Sequence, residues 1–142
     1  MMSATMALNG FIALGVTEDW STHMIGHELT ALTGLTHGHT LAIVMPGTMQ
    51  VLRKEKGEKI MQFGARVFGV VSGTHDFRID ETIRKTEAFF RSLGLTTRLN
   101  EEHIDAEVIN EIERRFTERD AHYGEDGLVN GKVAKEILTQ VM

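Results

Sequence analysis

The sequence predicts an all-α fold of about seven helices in a single domain. Three observations favour it. Alternation of apolar and polar residues, which marks half-buried strands, is hard to find anywhere in the chain. Apolar residues instead recur at the i, i+3, i+7 spacing of an amphipathic helix, as at Ile60, Phe63 and Val67. The only proline is Pro46, so almost nothing interrupts a helical pattern.

The first three helices are predicted over residues 2–14, 21–33 and 39–53. The first is apolar nearly all round, which predicts that it is buried and suits a segment from the middle of a longer protein. Thr17 or Ser21 can cap the second helix, and Gly34 ends it. Pro46 lies inside the third helix and is expected to kink it or to start a new turn.

The last four helices are predicted from their capping residues. The fourth begins after Gly57, and Asp76 or Asp80 caps the fifth. Asn100 caps a sixth helix, which carries acidic residues in its first turn and arginines in its last, as the helix dipole favours. Asn130 caps the seventh.

Composition excludes several classes of function. The chain has 142 residues, of which 42% are hydrophobic and 25% charged, as expected for one folded domain. Its net charge of −5 argues against nucleic-acid binding. There are no cysteines, so disulfides, thiolate nucleophiles and cysteine-based zinc sites are ruled out. The apolar N-terminus is too short for a membrane span and lacks a basic leader, which favours a cytoplasmic protein.

Three histidines lie within the fifteen residues "HMIGHELTALTGLTH". His23 and His27 are four residues apart, so both imidazoles project from one face of the second helix. A turn at Gly34 would fold His37 back towards that face. Imidazole is the commonest protein ligand for zinc, ferrous iron and nickel. A pair of histidines at this spacing also occurs by chance on helix surfaces, but the neighbouring residues here are apolar.

Other metal-site patterns fit less well. The zincin motif needs glutamate directly after its first histidine, where this chain has Met24. The inverted motif needs glutamate before the second histidine, where Gly26 stands. Asp19, one turn before the first histidine, is a local candidate for a further ligand, although a helix-start role is the commoner use. His39 is expected to have a helix-start or surface role.

The segment "DWSTHMIGHELTALTGLTHGHTLAIVMP" resembles the metal-binding segment of the iron-containing (group III) alcohol dehydrogenases. The family pattern is H-x3-H-x9-H, then a small residue and an apolar run to proline. His23, His27, His37, Gly38 and Pro46 match it. The chain is most similar to the branch of NADPH-dependent aldehyde reductases and butanol dehydrogenases, and the likeness extends to "FFRSLGLTTRL" and the last helix.

This resemblance implies a set of site residues and cofactors. In the family, one Asp and three His hold the metal, and two of those histidines align with His23 and His37. The other Asp and His come from an earlier part of the family's chain. His27 aligns with a histidine near the nicotinamide and the substrate. The implied cofactors are a divalent metal, Fe2+ or Zn2+, and NADP(H) or NAD(H). The implied substrate is an alcohol or aldehyde.

The resemblance also implies that residues 1–142 are the C-terminal, helical metal-binding domain of the dehydroquinate synthase-like architecture, in a homodimer. No G-x-G-x-x-G or βαβ pattern occurs, so the N-terminal nucleotide-binding domain is expected to be missing from this chain. On that interpretation the chain alone is inactive. The alternative is a stand-alone helical metal-binding or oligomerisation module without catalytic activity.

Overall fold

The computed structural model describes residues 2–142 and confirms the all-α fold. Seven helices lie in this range: α1 Met2–Leu8, α2 Ser21–Thr33, α3 His37–Val51, α4 Arg53–Phe68, α5 His75–Ser92, α6 Ala106–Glu118 and α7 Gly131–Thr139. Two short 3-10 turns cover Phe11–Ala13 and Asn100–Glu102. Among the described residues the only β pairing is an isolated antiparallel bridge between Tyr123 and Val129.

Helix α3 is the centre of the domain, and it packs against α2, α4, α5 and α7. One hydrophobic cluster lies among α2, α3, α6 and α7, with Ile25, Ile43 and Phe116 almost fully buried in it. A smaller cluster around Ile60 and Ile79 lies among α3, α4 and α5. Because α3 contributes to both clusters, its position relative to α2 is set from two sides.

Capping and turn residues in the sequence predicted several helix ends correctly. Gly34 ends α2 with φ 76°, the left-handed conformation that favours glycine. Asn130 caps α7, where its side chain accepts hydrogen bonds from Lys132 N at 3.1 Å and Val133 N at 3.2 Å. Pro46 lies inside α3, as predicted, and the helix continues through it to Val51.

Other boundaries differ from the prediction. The cap of α6 is Asp105, not Asn100, because His103 takes a left-handed φ of 58° and separates the 3-10 turn from the helix. Thr74 caps α5 and accepts a hydrogen bond from Phe77 N, so neither Asp76 nor Asp80 has that role. Helix α3 starts two residues earlier than predicted, with Thr36 as its extended cap residue.

The first helix is shorter and more exposed than its sequence predicts. It ends at Leu8, since Gly10 adopts φ 73° and turns the chain into the 3-10 segment. None of its residues is buried, and Met2 and Leu8 are 83% and 68% exposed. The prediction that this helix is buried is therefore wrong for the domain as described. A helix of apolar residues is buried only where other residues cover it, and no residue of α1 is buried among residues 2–142.

Candidate metal centre

The three histidines lie in the first half of α2 and at the start of α3. His23 and His27 lie one turn apart on α2, and His37 is the first residue of α3. The two helices approach closely at Gly26, where an added Cβ would lie 2.9 Å from Leu41 Cδ2 and 3.7 Å from His37 Cε1. A side chain at this position would therefore separate the two helices beside the histidines.

The imidazoles form one contiguous cluster with His37 in the middle. The ring centroid of His37 lies 5.3 Å from that of His23 and 4.5 Å from that of His27. The His27 residue is exposed, whereas the other two are half-buried. The Trp20 indole lies edge-on to His23, with 5.0 Å between the ring centroids. The structure thus brings together the three histidines that the sequence singled out.

The environment of His23 favours its neutral form. Burial lowers the pKa of this imidazole, and the positive charges that His37 and His27 can carry lower it further. A neutral imidazole has a free nitrogen lone pair, which is the form that binds a metal ion. His23 is therefore suited to be a ligand near neutral pH.

The separation of His23 and His37 fits two ligands of one metal ion. With metal–nitrogen bonds of ~2.1 Å and tetrahedral angles, the centroids of two ligating rings lie about 5.2 Å apart, and the observed separation is 5.3 Å. Among residues 2–142, no group of three or more His, Asp or Glu side chains could hold a metal ion by itself. The two imidazoles therefore fit as part of a ligand set, since zinc sites use three or four protein ligands.

Two carboxylates on or just before α2, those of Asp19 and Glu28, are each paired with cationic side chains. Asp19 Oδ2 lies 2.5 Å from Lys56 Nζ. Burial raises the pKa of Asp19, but hydrogen bonds from Lys56 and Ser21 outweigh this effect and the pKa is lowered. Glu28 accepts hydrogen bonds from Arg115 of α6 and from Arg119, the residue directly after that helix.

His39 also lies outside the histidine cluster. Its Nε2 is 2.6 Å from Thr96 Oγ1, whose hydroxyl donates to Glu102 at 2.8 Å. The helix-start or surface role predicted for His39 matches its place in the first turn of α3, but its half-buried ring bonds to a distant segment and does not cap the helix. The hydrogen-bonded chain connects the first turn of α3 to the segment after α5.

An open hollow of about 450 Å³ adjoins His23 between α2, α3 and α5. Its walls are mainly apolar and consist of Thr22, His23, Gly38, Leu41, Ala42, Met45 and Phe90. Sequence reasoning did not identify Phe90 as a site residue, because it comes from a helix distant in the chain. The hollow can accept an apolar group beside the imidazole cluster.

Comparison with known proteins identifies the family. A model of the Fe-containing alcohol dehydrogenase family, C-terminal, matches residues 1–141. The chain belongs to the iron-containing alcohol dehydrogenase family. It is 44% identical over 118 residues to the NADPH-dependent aldehyde reductase YqhD of Escherichia coli strain K12, covering 83% of this chain and 30% of that protein. It is 35% identical to NADH-dependent butanol dehydrogenase A of Clostridium acetobutylicum, covering 71% and 26% of the two chains.

Solved structures of the family share the fold. A crystal structure of Escherichia coli YqhD matches with a TM-score of 0.94 and 39% identity, over 100% of this chain and 37% of that one. The NADH-dependent butanol dehydrogenase A of Thermotoga maritima matches with a TM-score of 0.86 and 28% identity, over 99% and 37%. The chain thus spans about 30% of the length of the curated relatives it matches. None of the helices described between residues 2 and 142 is long and apolar enough to cross a membrane.

Proposed function

We propose that this chain is the helical metal-binding part of an NAD(P)-dependent alcohol dehydrogenase or aldehyde reductase. The observation that carries the proposal is the 5.3 Å separation of the His23 and His37 rings, which suits two ligands of one ion. Family membership supports it, since the named relatives are aldehyde reductases and alcohol or butanol dehydrogenases.

In this proposal His23 and His37 hold a divalent ion, Fe2+ or Zn2+. When bound, that ion supplies Lewis acidity to the alcohol or carbonyl oxygen. The lowered pKa of His23 keeps its lone pair available to the ion. His27 is exposed beside His37, so its imidazole is free to orient the nicotinamide or to relay a proton.

The remaining ligands and the nucleotide-binding domain lie, in this proposal, outside the 142 residues. The shortage of ligands among residues 2–142 supports this view, as does the small fraction of the relatives' length that the chain spans. Relatives named for NADPH and for NADH both occur, so the cofactor is NADP(H) or NAD(H). The family resemblance further predicts a cytoplasmic homodimer.

A chimaera tests the proposal. Residues 1–142 replace the matching segment of the Escherichia coli aldehyde reductase, and NADPH oxidation with butanal is measured together with bound metal. We expect no turnover from the chain alone and turnover from the chimaera. His23→Ala and His37→Ala should each remove the bound metal and the activity. The control His39→Ala should keep the metal, because His39 is hydrogen-bonded to Thr96 instead.

The role of His27 is separated from metal binding in the same assay. His27→Ala should keep the metal content while kcat falls by about 100-fold, the range of a lost proton-transfer group. Full metal content in the His23→Ala and His37→Ala chimaeras would contradict the ligand assignment. A folded but inactive chimaera, with a self-associating chain, would favour the stand-alone module.

A further inference from the structure

Lys56 of α4 lies where three separate segments meet. Its Nζ is 2.5 Å from Asp19 Oδ2, just before α2, and 3.3 Å from Glu125 Oε2, in the loop between α6 and α7. Its side chain is only 22% exposed. Burial lowers the pKa of this amine, but the hydrogen bonds to Asp19 and Glu125 and their negative charges together outweigh burial, and the pKa is raised. The cation is thus retained in a half-buried position between two carboxylates.

Asp19 connects Lys56 to the start of α2, the helix that carries His23 and His27. Its Oδ1 accepts hydrogen bonds from Ser21 N at 2.8 Å and from Ser21 Oγ at 2.5 Å. The cap residue itself, Trp20, makes no side-chain capping bond, so Asp19 provides the acceptor for the first turn of α2. Trp20 in turn lies edge-on to the His23 ring.

The loop between α6 and α7 packs closely against the Asp19 carboxylate. Gly124 adopts φ +90°, and a Cβ there would lie 3.3 Å from Asp19 Oδ2. Glu125 follows directly and brings a second negative charge to the site. Without the lysine the two carboxylates would face each other unneutralised, and like charges at this range repel.

We propose that Lys56 is a positioning residue for His23: its bonds to Asp19 and Glu125 set the first turn of α2 and thereby the place of the Trp20–His23 ring pair. The metal-binding consequence rests on the proposed function above. A merely structural lysine would add stability without changing the environment of Trp20 or the affinity of the imidazoles for a metal ion.

Trp20 is the only tryptophan in the chain, so its fluorescence reports directly on this turn. The test compares the wild-type chain with Lys56→Met, Lys56→Arg and the control Lys59→Met, an exposed lysine of the same helix. Two quantities are measured: the affinity for Co2+, from its quenching of Trp20, and the quenching of Trp20 by acrylamide.

Lys56→Met should weaken Co2+ binding about fivefold, somewhat less than the loss of a group bonded directly to a ligand. It should also make Trp20 about twice as accessible to acrylamide, because the turn is no longer held. Lys59→Met should leave both values unchanged. Lys56→Arg should keep most of the wild-type Co2+ affinity and most of the protection of Trp20 from acrylamide. Wild-type values of both quantities in Lys56→Met, with only a lower unfolding free energy, would overturn the proposal.

A second variant covers the case in which Lys56→Met does not fold. Glu125→Gln removes one exposed partner of the lysine, and it should produce a smaller change of the same sign in both measurements. No change in either would overturn the proposal. If the wild-type chain shows no Co2+ quenching, the two imidazoles alone are too few to hold the ion, and the Co2+ affinities are compared in the chimaera instead. Acrylamide quenching then still decides whether Lys56 holds the Trp20–His23 turn.

Discussion

Glu28 connects α2 to α6, and removing its charge tests how much its hydrogen bonds to Arg115 and Arg119 stabilise the packing of α2. Its carboxylate accepts hydrogen bonds from Arg115 Nη1 at 3.0 Å and Arg119 Nη2 at 2.7 Å, with 11% of the side chain exposed. A hydrogen bond to a charged group contributes about 1.5–3 kcal/mol, whereas an exposed ion pair contributes at most about 1 kcal/mol. The arginines are 35% and 50% exposed, so water screens them. We therefore expect Glu28→Gln to lower the free energy of unfolding by about 2 kcal/mol.

Urea denaturation followed by far-UV circular dichroism measures this change. The matched control is Glu113→Gln, whose carboxylate pairs with Lys135 on a more exposed surface at 2.7 Å. The control should lose no more than about 0.5 kcal/mol, as exposed pairs do. A loss from Glu28→Gln no larger than that of the control would refute the view that this pair anchors α2.

The pH dependence gives an independent check on Glu28. Burial raises its pKa, but hydrogen bonds from Arg119 and Arg115 outweigh burial and hold the pKa below its ordinary 4.5. A carboxyl with a depressed pKa contributes stability that is present above the unfolded value and is lost as pH falls through the folded value. The stability difference between wild type and Glu28→Gln should thus be constant from roughly pH 5 to 7 and shrink below 4.5. A difference that grows on acidification would contradict this.

Two further substitutions test helix packing and capping by urea denaturation. Gly47→Ala should cost about 2 kcal/mol, because the new Cβ would lie 2.6 Å from the Ile137 carbonyl oxygen. Gly38→Ala, in the same helix with no atom within 4 Å of its Cβ, should cost nothing, and equal effects of the two would disprove the packing argument. Asn130→Ala should cost about 1 kcal/mol through loss of the α7 cap. Asn110→Ala, exposed within α6, should be neutral, and a cap variant as stable as this control would show that the cap is dispensable.

Local signals in the sequence predicted most helices but not all of their ends. Gly34 and Asn130 act on their own turn, so their effect is readable from neighbouring residues. The start of α6 was misplaced because His103, a non-glycine residue, adopts a left-handed φ of 58°. Sequence patterns do not mark such a residue, since its conformation is imposed by its surroundings.

By itself the sequence determined that His23 and His27 share one helix face, since 3.6 residues per turn brings positions four apart into line. It also carried the pattern that led to the family. Only the tertiary structure decided that His37 lies between the other two rings, because this depends on the close approach of α2 and α3 at Gly26.

The partners of the charged residues were also decided by the tertiary structure alone. Glu28 meets arginines 87 and 91 residues further along the chain, and Asp19 meets Lys56 of another helix. Helical periodicity is a property of neighbouring residues, whereas the choice of an ion-pair partner depends on how distant helices pack. From the sequence alone Asp19 was a candidate metal ligand, whereas in the folded chain its carboxylate is paired with Lys56.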